Sequence, residues 1–131
     1  MTSQLYPKGK AHILGLATKA DLIADTIKVM LIHSASTAYS GSNEFVGDLS
    51  GTGIVARSGA LSGKTVTSGV FVASNITLTA VTGASVDALI LYKDTGSDAT
   101  SPLEAWFDLA SLTPNGGDIV VVWNGSGIFA I

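Results

Sequence analysis

"SGALSGKTVTSGVFVASNITLTAV", residues 58–81, admits two incompatible readings. Gly63-Lys64-Thr65 spells the end of a P-loop, which would make this an α/β nucleotide-binding chain. A P-loop needs a glycine five residues before its Gly-Lys pair, so that backbone amides wrap a phosphate. That position is Ser58, and Gly59 stands one residue too close. The motif must also open a helix, whose N-terminus supplies donors and dipole. The chain after Thr65 is instead rich in β-branched residues and alternates: Ile76, Leu78 and Ala80 against Thr77, Thr79 and Val81. That is strand periodicity. The stretch therefore excludes nucleotide hydrolysis and reads as a hairpin turn at Ser62-Gly63, flanked by Leu61 and Val66, in an all-β chain.

The same period extends outward. In "TIKVMLIH" (26–33), Ile27, Val29 and Leu31 share one face and Lys28, Met30 and Ile32 the other. A strand apolar on both faces belongs in the middle of a sheet. "VDALILYK" (86–93) and "LEAWFDL" (103–109) are of the same type, and shorter strands are expected over 54–57, 64–67 and 69–73. "DIVVVW" (118–123) and "GIFAI" (127–131) read as a closing hairpin around Asn124-Gly125-Ser126. The one expected helix lies within 7–24, opened by Pro7 and weakened by Gly15, so that it can end near Leu16. Strands at this spacing, separated by turn signals, predict one domain over residues 1–131. Its class is mainly β, an antiparallel β-sandwich or barrel with one short N-terminal helix. The core candidates are Ile27, Val29, Leu31, Ile76, Leu78, Ile90, Phe107, Ile119, Val121 and Phe129.

Composition narrows the function classes. The chain is 47% apolar but only 13% charged, about half the usual charge. A surface that poor in charge suits either a compact, neutral β-protein or one whose surface meets other chains, because interface cores are depleted in charge. A net charge of -3 with scattered cations argues against nucleic acid, which needs a basic patch. No cysteine is present, which removes disulfides and thiolate chemistry. The longest strictly apolar run, Ile119–Trp123, is far short of the ~20 residues of a membrane helix. With no signal-peptide pattern at the start, cytoplasmic synthesis and no membrane partner are expected.

No chemical motif survives inspection. His12 and His33 lack ligand spacing, and "DTGSD" (94–98) misses the calcium-loop pattern. Glu104 and Asp108 lie four apart on one expected strand with Trp106 between them. Regular strand rise separates them by about 13 Å, too far for paired carboxylate hydrolysis. They are expected on a solvent face, with Trp106 as an exposed aromatic or subunit anchor. No catalytic residue, metal site or cofactor is expected, and an enzyme is not.

One segment, "SASTAYSGSNEFVGDLSGTG" (34–53), is long for a loop and carries Tyr39, Phe45, Val46 and Leu49. Loops of this length are functional or disordered. It folds back to cap the sandwich, reaches a neighbouring subunit as an arm, or is disordered. Tyr39, Phe45, Leu49 and Trp106 are the candidate interface residues.

"LSGKTVT", "LILYKDTG" and "TPNGGDI" are the most specific pieces of an ordered series of segments running from about residue 5 to the C-terminus. The series resembles a group of small structural proteins encoded in tailed-bacteriophage genomes. The resemblance implies a virion protein assembled in a host cytoplasm, with no catalytic residues. Within that setting, a capsid decoration (cement) protein fits the size, β content and low charge. It would bind the major capsid protein, and itself as dimer or trimer. The alternative is a tail or receptor-facing module of the same virion, with Tyr39, Trp106 and Trp123 as stacking groups.

Overall fold

The computed structural model describes residues 4–15, 21–123 and 127–130. Among the described residues ten strands are present in chain order: β1 (Gln4–Leu5), β2 (Ile27–Ile32), β3 (Ile54–Arg57), β4 (Thr65–Thr67), β5 (Val70–Val72), β6 (Ile76–Leu78), β7 (Val86–Lys93), β8 (Leu103–Leu112), β9 (Ile119–Val121) and β10 (Phe129–Ala130). An α-helix, α1, covers Pro7–Ile13. Its proline occupies the first turn, where a missing N–H costs nothing. Its end is set by Gly15, whose φ of 111° only glycine adopts without strain. The helix is thus shorter than the expected span; 16–20 lie outside the described residues, and Asp21–Asp25 form a turn.

The strands form a five-stranded antiparallel sheet in the order β1-β8-β7-β2-β3, a three-stranded sheet β10-β5-β4 and a two-stranded pair β6-β9. Among the described residues no closed barrel forms; the arrangement is sandwich-like and mainly β. β2 is central as its two apolar faces required, paired with β7 from Ile27↔Lys93 to Ile32↔Ala88.

Both faces of the large sheet are buried, by different material. On one face Ile27, Val29, Leu31, Leu89, Leu91 and Ala105 meet Leu61, Phe71, Ala73, Leu78, Val81 and Ile128 from the smaller sheets and their connections. On the other, Met30, Ile32, Ala88, Ile90, Tyr92, Leu103 and Trp106, with Ile54 of β3 beside them, are covered by Tyr6, Val46, Tyr39 and Leu49. Of the core candidates, Ile27, Val29, Leu31, Leu78 and Ile90 are buried. Ile76, Phe107, Ile119 and Val121 are partly buried against the first cluster. The side chain of Phe129 lies outside the described residues.

Two turn assignments need correction. Ser62-Gly63 is not a hairpin between Leu61 and Val66. The Leu61 amide still bonds Ile27 O of β2 at 2.8 Å; the chain then turns a corner at Gly63 (φ 62°) into the second sheet. The two-residue hairpin comes later, at Ser68-Gly69, both at positive φ, joining β4 to β5. Nor do the last two strands pair with each other. β9 pairs with β6 (Ile76↔Val121) and β10 with β5 (Phe129↔Phe71), so the chain crosses between sheets there. Asn124-Gly125-Ser126, the expected turn, lies outside the described residues.

Candidate interaction surfaces

The 34–53 segment folds back on its own chain. Thr37, buried, clasps its two ends: its hydroxyl donates to Ser50 O (2.6 Å) and accepts from Gly53 N (2.8 Å). Glycine is required there, since a Cβ on Gly53 would stand 2.5 Å from His33 O and one on Gly51 would strike Ser36 O. Further along, the Asp48 carboxylate accepts from the Phe45 (2.9 Å) and Glu44 (3.0 Å) amides. Those amides hold its pKa below the usual carboxylate range. Val46 N donates to Ser101 O and Leu103 N to Glu44 O, both at 2.9 Å, which ties the loop to the start of β8.

These ties bring the four sequence-predicted interface residues to one side of the large sheet. Tyr39 stacks edge-on to Trp106 with ring centroids 5.9 Å apart, and tilted against Tyr6 at 5.0 Å. Phe45 lies 5.7 Å from the His12 ring, and Leu49 packs on the same apolar cluster as Tyr39. Trp106 is 0% exposed and its indole N–H donates to Asp108 Oδ1 at 2.9 Å. The expectation of an exposed aromatic is therefore overturned: in this fold Trp106 is the floor of a core that the 34–53 loop roofs.

Glu104 is also not on a solvent face. The β7–β8 register steps from Leu91↔Ala105 to Tyr92↔Leu103, so Glu104 sits at a β-bulge and alternation fails there. The residue is fully buried and neither carboxyl oxygen has a hydrogen-bond partner among the described residues. Burial pushes its pKa up to about 8, opposed by Lys93 and reinforced by Asp25.

Several other charged groups are held in local pairs. The Arg57 guanidinium makes two bonds to Asp98 (2.8 and 2.9 Å) and lies 5.9 Å over the Tyr92 ring. Lys28 pairs with Asp94 at 2.6 Å, whose other oxygen caps Gly96 N. The DTGSD carboxylates are thus spent on their own turn and neighbours. Lys64, of the Gly-Lys-Thr triplet, gives its ammonium to Asp25 O. No group of three metal-ligating side chains occurs among the described residues, and no helix among them is long and apolar enough to cross a membrane.

The surface that sequence reasoning missed lies at the far end of β8. β1 covers β8 only at Ala105 and Trp106. Beyond it, Leu109 (41% exposed), Leu112 (48%), Val120 (54%) and Val122 (69%) stand in solvent. Two adjoining cavities of about 360 and 370 Å3 open between the β8 and β9 segments, sharing Leu89, Leu109, Val121 and Val122 in their walls. The sandwich is open along this flank. From Leu109 to Gly117 the chain carries no charge, the one signal that could have found it.

No protein-family model matches the chain, and no curated protein is similar to it.

Proposed function

We propose that this chain is a non-enzymatic structural protein of a tailed-bacteriophage virion: a head decoration protein that binds the capsid exterior and stabilises it as a homo-oligomer. The observation that carries the reading is the open, largely apolar flank between β8 and β9, where Leu109, Leu112, Val120 and Val122 are exposed and Asp108 is the charged residue in the walls. Contiguous exposed apolar surface rimmed by polar residues marks contact with another macromolecule. The resemblance of "LSGKTVT", "LILYKDTG" and "TPNGGDI" to phage structural proteins supports the setting.

The occupant of the flank is a second copy of this chain. The chain carries a net charge of -3, so most of its faces repel a copy. The flank sets mainly apolar side chains against themselves, and Asp108, the charged residue in its walls, already accepts from the Trp106 indole, so repulsion is least there. The capsid shell then meets the assembled oligomer through its remaining surface. The tail or receptor-facing reading draws no comparable support: Trp106 is buried, Tyr39 stacks on it, and Trp123 gives its indole N–H to Ser74 O (3.2 Å).

A decoration protein binds the assembled shell and stabilises it by mass action. Purified capsids lacking this protein should open at a lower temperature than complete ones, and adding the protein back should restore the difference. Equal melting with and without it, or only a few copies confined to the tail, would sink the proposal.

A further inference from the structure

Glu104 is a buried acid with no use in the proposed function. Its backbone is held firmly. Tyr6 N, just before α1, donates to Glu104 O at 3.0 Å. Inside α1, Gly9 presses on the bulge so closely that a Cβ would lie 2.9 Å from Glu104 O and 3.0 Å from its Cα. The carboxyl itself bonds nothing among the described residues.

The charged groups around it act on the carboxyl without bonding it: Lys93 opposes the rise in its pKa and Asp25 reinforces it. On β7, Lys93 pairs with Asp25 at 3.0 Å. On α1, Lys8 donates to Ser42 O (3.0 Å), Lys10 is exposed, and His12 meets Glu44 Oε2 at 2.9 Å. Ahead of α1, the Tyr6 hydroxyl is itself buried, with no partner among the described residues. A neutral carboxyl tolerates this site, whereas an unpaired carboxylate does not. Ionisation must therefore draw in water, and the short element packed on the Glu104 backbone is α1. It has seven residues, too few to hold a helix without its packing.

We propose that α1 is a pH-sensitive clasp, docked over Glu104 while that carboxyl is protonated and loosened as the carboxyl ionises. The upward shift of the Glu104 pKa accords with this. With the pKa raised in the closed form, the docked state holds its proton more tightly than the open one. Docking is then fully favoured below the ordinary carboxyl value of 4.5 and is lost as pH rises through about 8.

The experiment tracks two signals on the full chain across this range: the carbon NMR shift of the Glu104 carboxyl, and exchange protection, corrected for intrinsic rates, of the Lys10 amide in α1 and of the Leu14 amide that caps its end on Lys10 O. The carboxyl should titrate near pH 8. Protection in α1 should fall by up to about tenfold per pH unit on the approach to that value and then level off, while β2 and β7 amides hold steady. In Glu104→Gln the α1 profile should be flat. A carboxyl midpoint in the ordinary acid range overturns the proposal, as does the same loss of protection in Glu104→Gln. Should that variant fail to fold, the wild-type signals decide: an ordinary midpoint or flat α1 protection overturns it.

Discussion

Thr37 is a small residue with two obligations. Its hydroxyl is both donor to Ser50 O and acceptor from Gly53 N, and it is buried. Thr37→Val keeps the shape and removes both bonds, leaving a buried amide without a partner. Such an orphan costs about 1–3 kcal/mol, and chemical denaturation should show a loss in that range. An unchanged midpoint would mean that water already reaches the ends of the 34–53 loop. Residue-scale detail of this kind is only half legible in a sequence. Gly51 and Gly53 are visible there as turn-formers, but the carbonyls they must avoid belong to residues 36 and 33. Likewise strict alternation puts Glu104 on a solvent face, and the β-bulge defeats it, because a one-residue irregularity turns every inference about which way a side chain faces.

Elements are more legible than their partners. The large strands β2, β7 and β8 announce themselves by apolar content on both faces, and the structure explains that content: the sheet has a core on each side. The helix is legible in its start at Pro7 but not in its length, because an apolar pattern continues past Gly15. Pairing is illegible where the chain changes sheets, since β9 and β10 are neighbours in sequence but belong to different sheets. The proposed self-contact lies at the ends of β8 and β9. Introducing charge there, as Leu109→Lys with Val122→Lys, alters two exposed positions and should leave the fold intact by circular dichroism. Light scattering should then find a smaller particle than the wild type, because two like charges are buried at a self-contact. A folded double variant with the wild-type mass would remove the flank from the interface and leave the virion assignment to the capsid experiment.

For the whole molecule, the titrating groups act in opposite directions. Asp94 is held below the usual range by Lys28, Asp98 by Arg57, Asp87 by the Ser34 hydroxyl and Asp48 by the Phe45 amide. Stability from these groups is present above the ordinary aspartate value of 3.8 and is lost as pH falls through the lowered ones. Glu104 contributes the reverse slope, from 4.5 up through about 8, at up to about 1.4 kcal/mol per pH unit. Thermal melting should therefore peak in mildly acidic solution and decline toward pH 8. Glu104→Gln should flatten the alkaline decline and leave the acid one in place. A wild-type melting temperature still rising at pH 8 would contradict this balance.

The pairing of β2 with β7 also has a kinetic side. Ile27 meets Lys93, and β1 meets β8 through Gln4↔Trp106, so the central sheet joins segments far apart along the chain. Closing such loops costs entropy before any contact repays it, which places the chain among slow-folding β topologies. During that delay the most apolar strands, β2 and β7, have no cover. A cell making many copies at once would meet a pool of half-folded chains, and the yield of folded protein would depend on how quickly residue 93 finds residue 27.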